Sequence, residues 1–324
     1  MEAIVQDRYG EPAEVLALQA IDRPVIGNDE VLVGVDAASI SIGDCHMVRG
    51  VPYIIRPVVG LRRPRNRVPG VDFAGKVEEV GPNVALFEPG DDVFGWGSGA
   101  FAEYVSVEVD NLAPKPTNLS LEQAAAIGVS AQTALQALRD HGKVRPGQRV
   151  LVNGASGGVG TYAVQIAKAL GAEVTGVCST RNIEMVTSIG ADRVIDYTQD
   201  DFTHGEQRYD FILDNVGNHS LSDTRRALAA GGTLLSSGAP VRGWIGGVDH
   251  VAVTLVQSLF VRQQLRPFVS LNNKADLAAL KEFVEAGKVT PVIDRTYPLN
   301  ETAAAVQHVR EGHAQGKTVI TVKH

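Results

Sequence analysis

A glycine-rich turn between residues 153 and 160 is the stretch of the sequence best suited to hold an anionic ligand. It reads, in order, Asn153, Gly154, Ala155, Ser156, Gly157, Gly158, Val159 and Gly160. Glycines let the backbone approach a pyrophosphate without a Cβ in the way, and the free N–H groups at a helix start hold its negative charge. Ala155 stands where G-x-G-x-x-G has its first glycine, and Gly157 and Gly160 fill the other two places. The turn predicts a dinucleotide site through Gly154–Gly160; a glycine-rich strand-to-helix turn without a ligand is the alternative.

A second candidate segment is Ser179, Thr180 and Arg181, which follows an apolar run. An NAD site needs an Asp or Glu at this strand end to accept the ribose hydroxyls, and the sequence has no acid there. Hydroxyl groups and a guanidinium are instead suited to a phosphate. The segment therefore predicts NADPH rather than NADH. Ser179 as a mere helix cap and Arg181 as a solvated side chain form the alternative, which is compatible with phosphate binding.

The elements around these segments alternate between strand and helix after residue 148. We predict strands at 149–153, 173–178, 193–196, 209–214 and 233–237, and helices at 158–170, 182–189 and 220–230. Such alternation predicts a doubly wound parallel sheet that binds its ligand at the carboxyl ends of the strands. Up to about residue 118, short alternating runs and turns predict a mainly β domain. Near the end we expect a helix at 274–286, a strand at 289–293, a helix at 300–312 and a strand at 319–322, which together rejoin that β domain.

Composition narrows the classes of partner. The 324 residues carry a net charge of -7, which argues against nucleic acid as the main partner. The two cysteines, Cys45 and Cys178, have no metal-like spacing and favour a reducing compartment. No signal-like start is present, and the longest apolar run, 251–261, is too short to span a bilayer. We expect a cytoplasmic protein with no membrane partner. A local basic loop, which we read as solvated or as steering an anionic ligand, contains Arg56, Arg62, Arg63, Arg65 and Arg67.

The order of motifs resembles the medium-chain dehydrogenase/reductase superfamily, and within it the zinc-independent quinone oxidoreductase group. The resemblance rests on residues 68–77 with 80–84, 89–95, 99–104, 153–160, 190–192 with 194–197, and 214–217. It implies an α/β fold in which a Rossmann domain, 121–264, is inserted in a mainly-β GroES-like catalytic domain, 1–120 and 265–324. It also implies a homodimer that acts on a small molecule.

Zinc is the next point that the resemblance bears on. On the landmarks shared with zinc-dependent alcohol dehydrogenases, the three ligand positions fall on Ser41, Val71 and Val129, none of which is a credible zinc ligand. Where those enzymes insert a structural zinc lobe, this chain has only residues 95–99. We therefore predict no metal. A site rebuilt from Cys45, His46 and Asp72 is the alternative.

The fold and the resemblance imply further cofactor contacts. Tyr197 matches a tyrosine near the adenosine phosphate, and Lys317 a residue near the pyrophosphate. Positions near the ribose and nicotinamide are Thr133, Asn215, Val216, Ser237, Gly238 and Phe260. A surface tyrosine and ordinary turn residues are the alternatives.

The reaction and its proton donor are the last features that the sequence bears on. Without zinc, no Lewis acid stabilises an alkoxide. Hydride transfer to an electron-poor quinone or α,β-unsaturated carbonyl is the reaction that requires the fewest catalytic groups from the protein. Asp44, His46 and Tyr53 are the candidate proton donors, with structural or cleft-lining roles as the alternative. Two other functions stay open. One is an alcohol dehydrogenase or aldehyde/ketone reductase of the same superfamily, and the other is an NADPH-binding structural or regulatory protein with negligible turnover.

Overall fold

The computed structural model describes residues 1–237, 263–312 and 314–322. The chain folds into two compact units. The first unit comprises Met1–Gln132, Asn272–Gly287 and Pro291–His324, and the second Thr133–Leu271 and Lys288–Thr290. The division after Gln132 falls later than the predicted boundary at 120/121.

The strands and helices are as follows. The strands are β1 (Glu2–Val5), β2 (Ala17–Ala20), β3 (Glu30–Ile40), β4 (Asp72–Val80), β5 (Asp92–Trp96), β6 (Tyr104–Glu108), β7 (Leu112–Pro114), β8 (Arg149–Asn153), β9 (Glu173–Cys178), β10 (Arg193–Asp196), β11 (Tyr209–Asp214), β12 (Leu228–Ser236), β13 (Gln264–Pro267), β14 (Ile293–Pro298) and β15 (Lys317–Thr321). The helices are α1 (Pro12–Val15), α2 (Ile42–Arg49), α3 (Arg56–Val59), α4 (Leu121–Ala125), α5 (Gly128–Leu135), α6 (Gly158–Ala169), α7 (Ile183–Ser188), α8 (Leu221–Arg226), α9 (Lys274–Glu285) and α10 (Thr302–Arg310).

The first unit is built on a seven-stranded sheet in the order β14-β15-β3-β4-β5-β7, with β6 also paired to β3. Antiparallel pairing of β15 with β3 brings the late part of the chain into this sheet, and β14 lies parallel to β15. Its core is apolar and includes the fully buried rings of Phe73, Phe94 and Phe101. The mainly-β character follows from the short alternating runs, each of which buries one face of a strand.

The second unit is a six-stranded parallel sheet in the order β10-β9-β8-β11-β12-β13. This is the 3-2-1-4-5-6 order of the doubly wound dinucleotide fold, so the predicted fold class is confirmed. The central strands β8 and β11 are buried on both faces, as expected for parallel strands covered by helices. Ligands of such sheets bind at the carboxyl ends of the strands, where Asn153, Cys178 and Asp214 lie.

Three of the predicted element boundaries were wrong, and one of them is the strand predicted at 233–237, which begins at Leu228. The predicted strand 289–293 lies instead at Ile293–Pro298. Pro291 has no N–H to donate to a ladder, and the pairing with β15 begins with the bond from the Lys317 N–H to the carbonyl of Val292 at 2.8 Å, so the strand starts at Ile293. The predicted helix 220–230 ends at Arg226, because β12 begins at Leu228 and takes the following residues into the sheet. Within the described residues, no helix combines the length and the apolar character that crossing a membrane requires.

Candidate functional site

The glycine-rich turn connects β8 to α6 and leaves the backbone of the helix start open. Gly154 has φ +79°, which favours glycine, and Gly157 is the N-cap of α6 with no side-chain capping bond. A Cβ on Gly160 would lie 2.0 Å from the carbonyl oxygen of Gly154, so helix and turn are in close contact there. A Cβ on Gly157 would approach no atom closer than 3.5 Å, so space remains on the open side of the turn. The turn can therefore hold a pyrophosphate in the predicted way.

Ala155 departs from the glycine pattern, and the structure shows how it is accommodated. The residue is fully buried, and its N–H donates to the carbonyl of Val177 at 3.0 Å. Its Cβ lies 3.0 Å from the position that a Cβ on Gly176 would take. The methyl group thus points into the contact with β9 and away from solvent. Gly176 has no side chain and so leaves room for this methyl group, which allows an alanine at this position of the turn.

Two buried polar atoms near the carboxyl ends of the strands have no hydrogen-bond partner: Oδ1 of Asn182 and Nδ2 of Asn215. The other side of the Asn215 amide, Oδ1, accepts a hydrogen bond from the Ser237 hydroxyl at 2.6 Å. Buried polar atoms without partners are costly, and a bound ligand can supply partners. Ser156, Gly158 and Val159 line the first turn of α6 and are half-buried. Glycine turn and unsatisfied amides together fit a dinucleotide.

The turn after β11 is organised by Asp214. Its Oδ1 accepts the N–H groups of Val216 and Gly217 at 3.1 and 2.9 Å, and the amide of Asn153 at 2.8 Å. Val216 is left 44% exposed above this turn. The motif Asp214–Gly217 thus ties the ends of β8 and β11 together and presents Asn215 and Val216 at the predicted edge.

The segment after β9 was the predicted phosphate site, and its side chains have different environments. Ser179 is half-buried, whereas Arg181 and Tyr197 are exposed. The hydroxyl of Thr180 donates to Oδ2 of Asp196 at 2.6 Å, so it is already engaged by the protein. Asp196 was not among the predicted site residues, because the acid that selects NAD is expected at the end of β9 and Asp196 lies at the end of β10. It ends the neighbouring parallel strand, where it pairs in register with Cys178.

Asp196 carries a carboxylate whose acceptor sites are filled. Oδ2 also accepts from the Gln199 amide at 3.1 Å, while Oδ1 accepts from the N–H and the hydroxyl of Thr198 at 3.0 and 2.8 Å. The hydrogen bond from Thr180, followed by those from Thr198, lowers the pKa of this carboxyl below its ordinary value. The group is thus an anion held by protein donors.

The remaining predicted cofactor residues are spread over both units. Thr133 is half-buried in α5, in the second unit. Lys317 is 1% exposed in the first unit, with Nζ 3.4 Å from Oδ2 of Asp72 and 3.2 Å from the Ser130 hydroxyl. Its ammonium is therefore held in a buried ion pair with Asp72. Burial raises the pKa of Asp72, and the positive charge of Lys317 is the largest effect in the opposite direction. Gly238 and Phe260 lie outside the described residues.

The three candidate proton donors belong to the first unit. Asp44 is 1% exposed and forms a capping box at the start of α2, where its Oδ2 accepts the N–H and the hydroxyl of Ser41 at 2.8 and 2.6 Å. Burial raises the pKa of Asp44 to about 6, and its Oδ1 has no partner. His46 is half-buried, and burial lowers its pKa, with Arg49 adding to the effect. Tyr53 is 40% exposed, with the Arg56 guanidinium 4.4 Å from its ring centroid.

The residues weighed as metal ligands are engaged in other contacts. The Cys45 thiol lies 3.5 Å from the carbonyl of Val306, and burial raises its pKa to about 12, which disfavours the thiolate that zinc needs. Oδ1 of Asp72 accepts the N–H of Val129 at 2.9 Å, and Ser41 caps α2. In the described parts of the chain, no group of three or more His, Cys, Asp or Glu side chains is placed to hold a metal.

Comparison with known proteins agrees with this architecture. Residues 27–117 match the family described as alcohol dehydrogenase GroES-like domain, and residues 189–320 the family described as zinc-binding dehydrogenase. The mouse (Mus musculus) protein named mitochondrial NAD(P)H oxidoreductase RTN4IP1 is 35% identical, over 99% of this chain and 89% of that protein. A chloroplastic Arabidopsis thaliana protein named NADPH-dependent alkenal/one oxidoreductase is 32% identical, over 99% of this chain and 79% of that protein.

Solved structures give the same result. The quinone oxidoreductase from Coxiella burnetii superposes with a TM-score of 0.87 at 29% identity, over 100% of this chain and 99% of that chain. The similarity in sequence and in fold therefore extends over both units. With a GroES-like β unit, a 3-2-1-4-5-6 parallel sheet and relatives that match it from end to end, this chain belongs to the medium-chain dehydrogenase/reductase superfamily of oxidoreductases.

Proposed function

We propose that the protein is a zinc-free, NADPH-dependent oxidoreductase whose small-molecule acceptor is a quinone or an α,β-unsaturated carbonyl. The observation that carries the preference for NADPH is the state of Asp196. A carboxylate that selects NAD must accept the ribose hydroxyls, but both oxygens of Asp196 already accept protein donors. Ser179 and the exposed Arg181 offer donors suited to a 2′-phosphate at the same strand end.

Different residues of the chain bind the different parts of NADPH. The backbone N–H groups at the start of α6 bind the pyrophosphate, and Ser179 and Arg181 bind the 2′-phosphate. Asn215, held by Ser237, presents an unsatisfied amide N–H₂ to the ribose or nicotinamide. When bound, the nicotinamide supplies a hydride. An acceptor that is already electron-poor needs no metal to polarise it. This agrees with Cys45 and Asp72, the alternative zinc ligands, which form hydrogen bonds within the protein instead.

The nature of the acceptor is supported by relatives and by chemistry. One relative is named for alkenals and enones, and another protein of the same fold for quinones. Both classes accept hydride at an electron-poor carbon and take up a proton afterwards. His46, Tyr53 or water supplies that proton, because Asp44 is buried and its Oδ2 already accepts the N–H and the hydroxyl of Ser41. If His46→Gln and Tyr53→Phe both keep full turnover, water is the donor.

The deciding experiment is cofactor oxidation by the purified protein with a panel of quinones, enones and aldehydes. We expect turnover with NADPH on quinones or enones, and a kcat/KM for NADPH at least about tenfold above that for NADH. Turnover confined to alcohols and aldehydes would favour the alcohol dehydrogenase or aldehyde/ketone reductase alternative. Tight NADPH binding without turnover on any acceptor would favour a structural or regulatory role. Stoichiometric zinc in metal analysis would contradict the zinc-free chemistry.

We further propose a homodimer in a reducing compartment, the cytoplasm. Both cysteines, Cys45 and Cys178, are buried and free, which suits a reducing environment. The homodimer is proposed from the superfamily alone. Light scattering coupled to size exclusion measures the oligomeric state, and fractionation of the source cells measures the location.

A further inference from the structure

Asn182 lies between the two segments of the proposed cofactor site without having been assigned to either. It ends the 3₁₀ turn Thr180–Asn182 and directly precedes α7. The residue is only 4% exposed. Its Nδ2 donates to the hydroxyl oxygen of Ser156 at 2.9 Å and to that of Ser179 at 3.3 Å. One side-chain amide therefore contacts both the glycine-rich turn and the segment that follows β9.

The usual explanation for an asparagine at this position does not apply. An Asn before a helix ordinarily accepts a backbone N–H of the first turn, but Asn182 makes no side-chain capping bond to α7. Its Oδ1 is buried and has no partner. Such an atom costs stability unless a donor reaches it, and a ribose hydroxyl is a donor of the required kind. The amide is thus satisfied on its nitrogen side by two serines and unsatisfied on its oxygen side.

The segment is also fixed at its other end. Thr180 donates to Asp196 at 2.6 Å, one strand further from the glycine turn. Between these two anchors stands Arg181, which is exposed. A guanidinium recognises a phosphate only when its donors are correctly placed, so the anchors determine where Ser179 and Arg181 sit relative to the pyrophosphate site.

We propose that Asn182 is a positioning residue that fixes the 2′-phosphate segment against the glycine-rich turn, and thereby sets the discrimination between NADPH and NADH. This rests on the proposed NADPH function. It acts through its hydrogen bonds to the hydroxyl groups of Ser156 and Ser179.

The test measures dissociation constants of NADPH and NADH, which differ only in the 2′-phosphate, by titration of Asn182→Ala. We expect the Kd of NADPH to rise about tenfold and that of NADH by less than about threefold. Val186→Ala is the matched control, because Val186 is a fully buried side chain of α7 that has no part in the serine contacts. It should lower the melting temperature while changing both dissociation constants by the same factor. Equal effects of Asn182→Ala on the two nucleotides, as in the control, would overturn the proposal.

A double-mutant cycle with Ser156→Ala separates this proposal from the one on which it rests. If Asn182 acts through Ser156, the effects of Asn182→Ala and Ser156→Ala on the Kd are not additive; additive effects overturn the role of Asn182. The wild-type ratio of Kd values tests the NADPH preference by itself. Should the wild type prefer NADH, the cycle run with NADH still decides whether Asn182 couples the two segments.

Discussion

The hydroxyl of Thr180 donates to Oδ2 of Asp196 over 2.6 Å, and this bond joins the ends of two adjacent parallel strands. It gives Thr180 a role other than the phosphate donor expected from the sequence, since its proton is committed to a carboxylate. It also fills one of the acceptor positions with which Asp196 could otherwise receive a ribose hydroxyl. In the proposed cofactor site, this threonine therefore bears on the choice between NADPH and NADH by donating to the Asp196 carboxylate.

Removing the Thr180 hydroxyl should shift cofactor choice toward NADH. In Thr180→Val, Oδ2 of Asp196 loses a donor and becomes able to accept from the ribose, so we expect the ratio of kcat/KM for NADPH over NADH to fall about fivefold. Thr180→Ser, which keeps the hydroxyl, is the matched control and should retain the wild-type ratio. Steady-state kinetics with both cofactors measure the change. An unchanged ratio in Thr180→Val would show that Asp196 stays closed to the ribose.

Arg181 should carry most of the affinity for the 2′-phosphate. Loss of a charge-assisted hydrogen bond in Arg181→Ala should raise the Kd of NADPH by about ten- to a hundredfold and leave that of NADH within about twofold. Arg62→Ala, in the exposed basic loop of the other unit, is the comparison and should change neither value. Equal weakening of both nucleotides by Arg181→Ala would refute the phosphate assignment.

The two glycines of the turn should respond differently to alanine. In Gly160→Ala the new Cβ would lie 2.0 Å from the carbonyl oxygen of Gly154, so α6 must shift, and we expect a loss of about 1–3 kcal/mol in the free energy of unfolding. Gly157 has extended backbone with φ -83°, and its Cβ would approach nothing closer than 3.5 Å. Gly157→Ala should therefore unfold like the wild type but lose cofactor affinity. Urea unfolding measures the first effect and nucleotide titration the second. Wild-type affinity in Gly157→Ala would contradict the assignment of the pyrophosphate to this turn.

Asp44 should make the protein less stable as the pH rises through the mildly acidic range. Burial raises the pKa of its carboxyl to about 6, against about 3.9 in an unfolded chain. The folded state binds the proton more tightly, so this group's contribution to stability falls between about pH 4 and pH 6 and is constant above. Asn can still accept the N–H of Ser41, so the free energy of unfolding of Asp44→Asn should rise relative to that of the wild type by about 3 kcal/mol across that window.

Urea unfolding of wild type and Asp44→Asn at a series of pH values from 4 to 7 measures this difference. Asp196→Asn serves as a control of opposite sign, because hydrogen bonds lower the pKa of Asp196 and its contribution to stability is lost as the pH falls. A difference between Asp44→Asn and wild type that does not vary with pH would show that the carboxyl titrates normally.

The fold was accessible to sequence reasoning because its signals are local. Apolar runs marked β8, β9 and β11, since strands buried on both faces must be apolar, and glycine turns follow β8 and β11. β14 was not recognised in this way, because Ile293–Pro298 is a polar, half-exposed strand without an apolar run. It is held in place by its pairing with β15. Its position depends on a distant partner, which local pattern does not reveal.

The site was accessible only in part, for a similar reason. The glycine turn could be predicted because the glycines that its backbone conformation requires are visible in the sequence. The roles proposed for Asn182 and Asp196 rest on hydrogen bonds to Ser156 and Thr180, which are 26 and 16 residues away along the chain. The one available signal for Asp196 was the parallel pairing of consecutive strands, which places the ends of β9 and β10 side by side.

The pairing of β15 between β14 and β3 has a consequence for how the chain is made. The sheet of the first unit includes β15, whereas all strands that the structure describes in the second unit, from β8 to β13, precede β14 in the chain. During synthesis these six strands of the second unit therefore leave the ribosome before β15, which the sheet of the first unit holds between β14 and β3. Since domains fold as units when their residues become available, the inserted unit is the first able to fold during translation.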